Sequence, residues 1–239
     1  MRADPNERLF DDYAASYADV VNASITSSGE TVDFFAQLKA DLVAEYCRRE
    51  LGGVPARVLD FGCGTGLSTR TLTTALPGAQ VTGVDVSGES IDRARELDAS
   101  GRAAYVHSPG ATLPFAPASF DVAFAACVFH HIDRSEHVAC LREIRRMLSA
   151  DGVLFIFEHN PRNPLTVRAV RACPFDEGVI LLDPGYTRKA LRSAGFETDA
   201  PYYYFFFPNA LRTLRVAEPL LRRVPLGAQY FVAARRTAD

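Results

Sequence analysis

Lysine is almost missing from this 239-residue chain: Lys39 and Lys189 are the only two, and arginine supplies the other basic side chains. Neither sign of charge is in excess, since 26 Lys+Arg against 29 Asp+Glu leave a formal charge of −3. The basic surplus or stripe of a general nucleic-acid binder is therefore absent, and no nucleic-acid partner is expected. No C-x-x-C pair occurs among Cys47, Cys63, Cys127, Cys140 and Cys173. Their odd number and wide spacing suggest neither a zinc ribbon nor a disulfide framework. Reduced thiols in a cytoplasmic protein are the expectation. The longest apolar run, Val122 to Phe129, is far below the ~18 residues of a membrane span, so none is expected. The charged opening Met1 to Tyr13 lacks the apolar stretch of a secretory signal. An apolar fraction of 48% with 23% charged residues places the chain among globular proteins rather than disordered ones.

With no repeat or low-complexity linker to divide it, the chain reads as one domain. Residues 1–54 form a helical cap, 55–160 a ligand-binding core, and 161–239 further helices and the final strands. Helical patterns cover Glu7 to Val21 and Thr31 to Leu51; in the second, Phe34, Phe35, Leu38, Leu42, Val43 and Tyr46 form an apolar stripe. From Ala56 onward, short apolar runs alternate with helical segments. Strands are expected at 57–61, 80–85, 105–107, 120–126 and 152–158, with helices at 65–75, after Ser87 and at 135–148. That alternation predicts an α/β fold, a doubly wound sheet covered by helices on both faces. Tyr202 to Phe207 and Gln229 to Ala234 read as late strands, and Pro208 to Ala228 between them as helical with a solvated arginine face.

Val58-Leu59-Asp60-Phe61-Gly62-Cys63-Gly64-Thr65-Gly66 is a strand running into a glycine turn that opens a helix. Bare main chain there lets a ligand approach closely. The dinucleotide fingerprint G-x-G-x-x-G is broken by Leu67 at its third position. Pyrophosphate favours a helix N-terminus, and the Asp60 carboxylate beside the loop would oppose it. The same carboxylate suits a ligand carrying an ammonium and a sulfonium, which favours S-adenosylmethionine over NAD.

This stretch resembles motif I of the class I S-adenosylmethionine-dependent methyltransferases. Leu113-Pro114-Phe115 with Ser119-Phe120-Asp121, and Leu148 to Gly152, resemble the family's approaches to its fourth and fifth strands. The likeness runs from about Ala56 to Glu158. It implies a Rossmann-like sheet of about seven strands, mostly parallel with an antiparallel last strand, and S-adenosylmethionine as cofactor. Asp85, closing the second strand, corresponds to the acid that holds both ribose hydroxyls, with Val86 beside it; one carboxylate accepts two hydrogen bonds from a vicinal diol. Gly62, Cys63, Gly64 and Gly66 would line the cofactor together with Asp60. The family's acid for the adenine amino group is replaced by Pro109 and Gly110, which leaves the main chain of Gly110 and Ala111 to hold the base. Phe10 to Tyr13 and Tyr17 resemble the helix that covers the cofactor, Tyr17 reaching its carboxylate.

In open α/β sheets ligands bind beyond the carboxyl ends of the strands. Cys127, His130 and His131 follow the fourth strand, and Glu158 ends the fifth. Cys127 would touch the cofactor. His130 is the first candidate for a base, His131 the second, and Glu158 would assist or anchor a cationic substrate. A metal site at Cys127, His130 and His131 is disfavoured because the ligands lack a second matched pair. Nucleic-acid methylating relatives carry Asn/Asp-Pro-Pro-aromatic where this chain has Ala126 to His131, and catechol-type relatives have clustered acids there. The resulting expectation is metal-independent methyl transfer to an oxygen or nitrogen of a small molecule. The alternatives are a cofactor-binding partner subunit without catalysis, or an NAD-dependent oxidoreductase.

Overall fold

The structure, a computed structural model, describes residues 5–237. Five parallel strands, β1 (Arg57–Phe61), β2 (Gln80–Asp85), β3 (Ala103–His107), β4 (Phe120–Ala126) and β5 (Leu148–His159), lie in the order β3-β2-β1-β4-β5. β8 (Gln229–Arg236) joins β5 antiparallel. The far edge of β8 carries two short strands in succession, β6 (Phe196–Thr198) and β7 (Tyr202–Tyr204). The sheet thus has eight strands where about seven were expected, and β6 is the one the sequence pattern missed.

Alternate residues of a strand face opposite sides. Val58, Val122 and Val153 pack against α3 (Val32–Glu50) through Val43 and Cys47, and against α4 (Leu67–Ala75) and its C-cap through Leu72 and Leu76. Leu59, Ala123 and Leu154 meet Leu141, Ile144 and Met147 of α6 (His137–Met147) and Leu191 of α8 (Pro184–Ser193). Burial on both faces is why the central strands read as unbroken apolar runs. The stripe of α3 is centred on Phe35, Lys39, Val43 and Cys47, whereas Phe34, Leu38, Leu42 and Tyr46 are half-buried at its margin.

Three expectations change, two helical and one of a strand. The first segment breaks into α1 (Pro5–Tyr13) and α2 (Tyr17–Ser24) across a turn at 14–16. The run from Tyr202 stops as a strand at Tyr204, because Phe205 takes φ +56° and turns the chain away. Residues 209–217 then form tight 3₁₀ turns with a kink at Leu211, followed by α9 (Glu218–Leu221). Arg215 of that segment is not on a solvated face. It pairs with Glu30 at 2.8 Å and lies over the rings of Phe34 and Phe205, tying the segment to the α2–α3 turn.

The chain turns outward through β2 and β3 on one side of β1 and through β5 and β8 on the other side of β4. The loops after β1 and β4 therefore flank the crevice where strand order reverses. Asp60, near the end of β1, is 1% exposed and accepts a hydrogen bond from Thr69 Oγ1 at 2.6 Å. Burial, with help from Asp85, raises its pKa from 3.8 to about 7, the Thr69 bond opposing. A buried carboxyl that resists ionising supports the fold when neutral, so this contribution is lost as pH climbs from 3.8 towards 7. Asp60→Asn, which keeps an acceptor for Thr69, should therefore gain stability relative to the parent as pH rises through that window. Denaturant midpoints at pH 5 and pH 8 check this, and a pH-independent difference would contradict it.

Candidate functional site

The glycine loop closes on itself. The amides of Gly62 and Cys63 donate to Val84 O at 2.8 and 3.1 Å, that of Gly66 to Cys63 O at 2.9 Å, and that of Gly64 to Asp85 Oδ2 at 2.7 Å. With those four amides taken, Gly62 to Gly64 offer a bare carbon surface and one carboxylate rather than an anion cradle. A Cβ on Gly62 would lie 2.5 Å from Val128 Cγ2, so only glycine lets the loop after β1 approach the loop after β4. At Gly64 an added Cβ would meet nothing within 4 Å, because that position opens onto a cavity.

The cavity measures about 440 Å³, within the ~300–1,000 Å³ of small-ligand sites. Its wall includes Tyr17, Gly62, Cys63, Gly64, Asp85, Val86, Gly110, Ala111, Cys127, His130 and His131, all singled out from the sequence. Three expected residues are not on it. Asp60 lies beneath the loop with its carboxylate turned to Thr69, so it does not meet a ligand charge directly. Gly66 caps α4, where a Cβ would strike Tyr105 at 2.8 Å. Glu158 stands behind His130.

Asp85 receives amide bonds on both oxygens, from Gly64 and from Ser87 at 2.9 Å, which fixes its plane at the cavity wall. Burial raises its pKa, and the amides of Ser87 and Gly64 pull against that rise. Ser87 caps α5 (Gly88–Leu97) by accepting from the Ser90 amide, and its own hydroxyl donates to Asp11 Oδ1 at 2.6 Å. That bond pins α1 over the site.

The acceptor end is built on the turn after β4. Cys127 sits at φ +59°, a left-handed conformation that costs a non-glycine residue ~1–3 kcal/mol. It starts the turn that carries His130 and His131. His137 Nε2 bonds the carbonyls of Phe129 and Ile132 at 2.8 and 3.0 Å and holds this turn from below. Glu158, 1% exposed, accepts from the Phe129 amide at 3.0 Å and meets His130 Nδ1 at 2.6 Å. Burial opposes charge on His130, but Glu158 and then Asp176 outweigh it and raise its pKa well above the usual value. His130 thus has its Nδ1 held by Glu158 and its Nε2 left to face Asp176. Burial pushes His131 down against the pull of Asp176, and His159, also on the wall, down to about 4.

Asp176 escaped sequence reasoning. It lies in a 3₁₀ turn (Pro174–Asp176) beyond α7 (Pro164–Arg171), and its Oδ1 sits 3.2 Å from His131 Nε2 and 3.6 Å from His130 Nε2. Neither contact is aligned as a hydrogen bond, so this buried oxygen has no bonded partner. The neighbouring Phe175 stacks on Tyr17 (centroids 5.2 Å, interplanar 15°) and touches Tyr13, while Phe10 packs edge-on to His131 at 5.0 Å. The Cys173-Pro174-Phe175-Asp176 string was the available signal, a proline turn with an aromatic and an acid, but its place in space depends on the tertiary fold.

Residues 59–156 match the family described as a methyltransferase domain. The chain is 32% identical over 157 residues to the O-methyltransferase resE of Aspergillus sclerotiorum, covering 62% of this chain and 58% of that one. It thus spans less than two thirds of that relative. It is 31% identical over 157 residues to the O-methyltransferase rstn1 of Aspergillus nomiae, covering 62% and 68% respectively. Among solved structures, an S-adenosylmethionine-dependent methyltransferase from Mesorhizobium loti superposes with a TM-score of 0.59 at 22% identity, covering 82% of this chain and 98% of that one. At that identity the likeness concerns the fold.

Phe175→Ala should loosen the cap. Truncating a buried phenylalanine costs ~3–5 kcal/mol, and the lost contacts lie on α1 and α2. Amide exchange should accelerate over residues 10–24 and stay unchanged over 57–61. Uniform acceleration would show that Phe175 supports the whole core instead.

Proposed function

This chain belongs to the class I S-adenosylmethionine-dependent methyltransferases, and from that premise we propose that it methylates an oxygen or nitrogen of a small molecule. The observation that carries the reading is the pairing of a glycine loop whose amides are internally bonded with a carboxylate, Asp85, held at the wall of one cavity. A pyrophosphate would need free amides, and those of Gly62, Cys63, Gly64 and Gly66 are taken. A nucleoside diol needs an oriented acceptor, which Asp85 provides. The residues present fit the cofactor. Asp85 would hold the ribose, Ser108 to Ala111 the base, and the bare Gly62–Gly64 surface under Tyr17 the amino-acid end.

When bound, S-adenosylmethionine supplies a methyl group on a sulfonium that departs as a neutral thioether. The chain's contribution is alignment, which in favourable cases lowers a barrier by ~7–11 kcal/mol. His130, His131 and Asp176 face the space beyond the loop, and they would hold the acceptor atom and ease the loss of its proton. Glu158, fixed at both oxygens, sets the ring of His130. That the two fungal relatives are O-methyltransferases supports oxygen as the acceptor atom. No described helix is long and apolar enough to cross a membrane.

Asp85→Ala should weaken S-adenosylmethionine binding by roughly 10–100-fold, the worth of hydrogen bonds to a charged acceptor. Calorimetric titration reads this directly, and unchanged affinity would remove Asp85 from the cofactor site. His130→Ala should lower kcat by about 10²–10⁴, the range for a group acting on the proton in the transition state. Cofactor affinity should stay within about twofold, since His130 faces the acceptor end. Wild-type turnover in that variant would exclude His130 from the chemistry.

A further inference from the structure

We propose that His130, His131 and Asp176 form a binding site for one divalent first-row transition cation, with Glu158 as the partner that orients His130. The three side chains offer one ligand atom each, and these atoms lie within 4.8 Å of one another. Asp176 Oδ1 is 3.2 Å from His131 Nε2 and 3.6 Å from His130 Nε2. Metal–ligand bonds of ~2.0–2.2 Å in tetrahedral array place neighbouring ligand atoms about 3.3 Å apart. The observed separations bracket that spacing.

The surroundings support the same reading. His130 Nδ1 is engaged by Glu158 at 2.6 Å, which turns Nε2 towards Asp176. A carboxylate bonded to the far nitrogen of a ligating histidine is the usual second layer of such sites. Asp176 is 8% exposed, and its Oδ1 is buried with no aligned donor. An unsatisfied buried carboxylate oxygen is costly, and a cation would satisfy it. Glu158 and Asp176 bring two acidic groups to this pocket, and neither has an arginine or lysine ion-pair partner among the described residues. Two imidazoles and one carboxylate suit zinc, iron, manganese or cobalt better than the all-oxygen preference of magnesium or calcium. The sequence-based case against a metal considered Cys127 with the two histidines; the fold supplies Asp176 as the third ligand.

Three protein ligands leave a position open for a substrate oxygen. This use of the site rests on the methyltransferase reading: an acceptor hydroxyl bound there would lose its proton to solvent water more readily, and its oxygen would be held in place. The cation's binding does not depend on that reading.

The test uses the full chain, stripped with a chelator and titrated with Co²⁺ and then Zn²⁺. We expect one Co²⁺ per chain, visible absorption of a four- or five-coordinate ion, displacement by Zn²⁺, and no displacement by Mg²⁺. Asp176→Asn and His131→Gln should abolish uptake, and Glu158→Gln should weaken it by about 10–100-fold. S-adenosylhomocysteine affinity, measured in each variant, reports whether the pocket is intact. No uptake by the wild type, or full uptake by Asp176→Asn, overturns the proposal. Should a variant lose the nucleoside as well, X-ray absorption of the loaded wild type decides, two imidazoles with one carboxylate supporting the site and any other set refuting it. Nucleoside binding without cation uptake would leave the methyltransferase reading standing alone, whereas cation uptake without nucleoside binding would do the reverse.

Discussion

The contact between Glu158 and His130 joins the ends of two neighbouring strands, and much of the pocket depends on it. A carboxylate buried to this degree is costly unless each oxygen is matched. Glu158 is matched twice, by the Phe129 amide and by the imidazole. Both partners belong to the turn that leaves β4, so satisfying one acid fixes the path of that turn. The path in turn sets where His131 points and leaves Val128 against Gly62, closing the two loops at the switch point together. Removing either partner would strand a buried charge and free the turn.

How much of this was legible follows from where each signal resides. The alternation of strands and helices, the glycine loop and Asp85 are local patterns, written within a few residues, and the fold places them as read. Asp60 was placed correctly beside the loop, but its orientation was not legible. A strand residue faces one side or the other according to register, and Thr69, nine positions on, claims its carboxylate. The argument against pyrophosphate therefore rests on the internally bonded amides rather than on a facing negative charge. Asp176 was invisible for a different reason. Nothing within its own segment says that a proline turn after α7 will pass over the turn that follows β4, where His131 lies 45 positions upstream of Asp176. Cluster chemistry assembled from distant segments is written in the topology.

The late segment shows the same limit in reverse. Arg215 belongs to a run of arginines that reads as surface, yet its guanidinium bridges Glu30 and two phenylalanine rings. Planar and weakly hydrated, arginine tolerates such a place better than lysine would. The 209–217 turns are thereby anchored to the start of α3, whose first residue, Val32, is on the cavity wall. Segments that look like independent surface are attached to the pocket at both termini of the chain.

The cap and the acceptor end are one mechanical unit. α1 is fixed at its Asp11 to Ser87, the N-cap of α5, two residues after Asp85. Its Phe10 rests on His131, and Tyr13 and Tyr17 rest on Phe175, the neighbour of Asp176. Any displacement of α1 and α2 therefore disturbs the ring of His131 and the turn that carries Asp176. A cap that merely shielded a nucleoside would need contacts to the Gly62–Gly64 and Asp85 region alone. This one also braces the three side chains at the other end of the cavity. Covering the pocket and bracing the His130–His131–Asp176 cluster are consequently done by the same set of contacts.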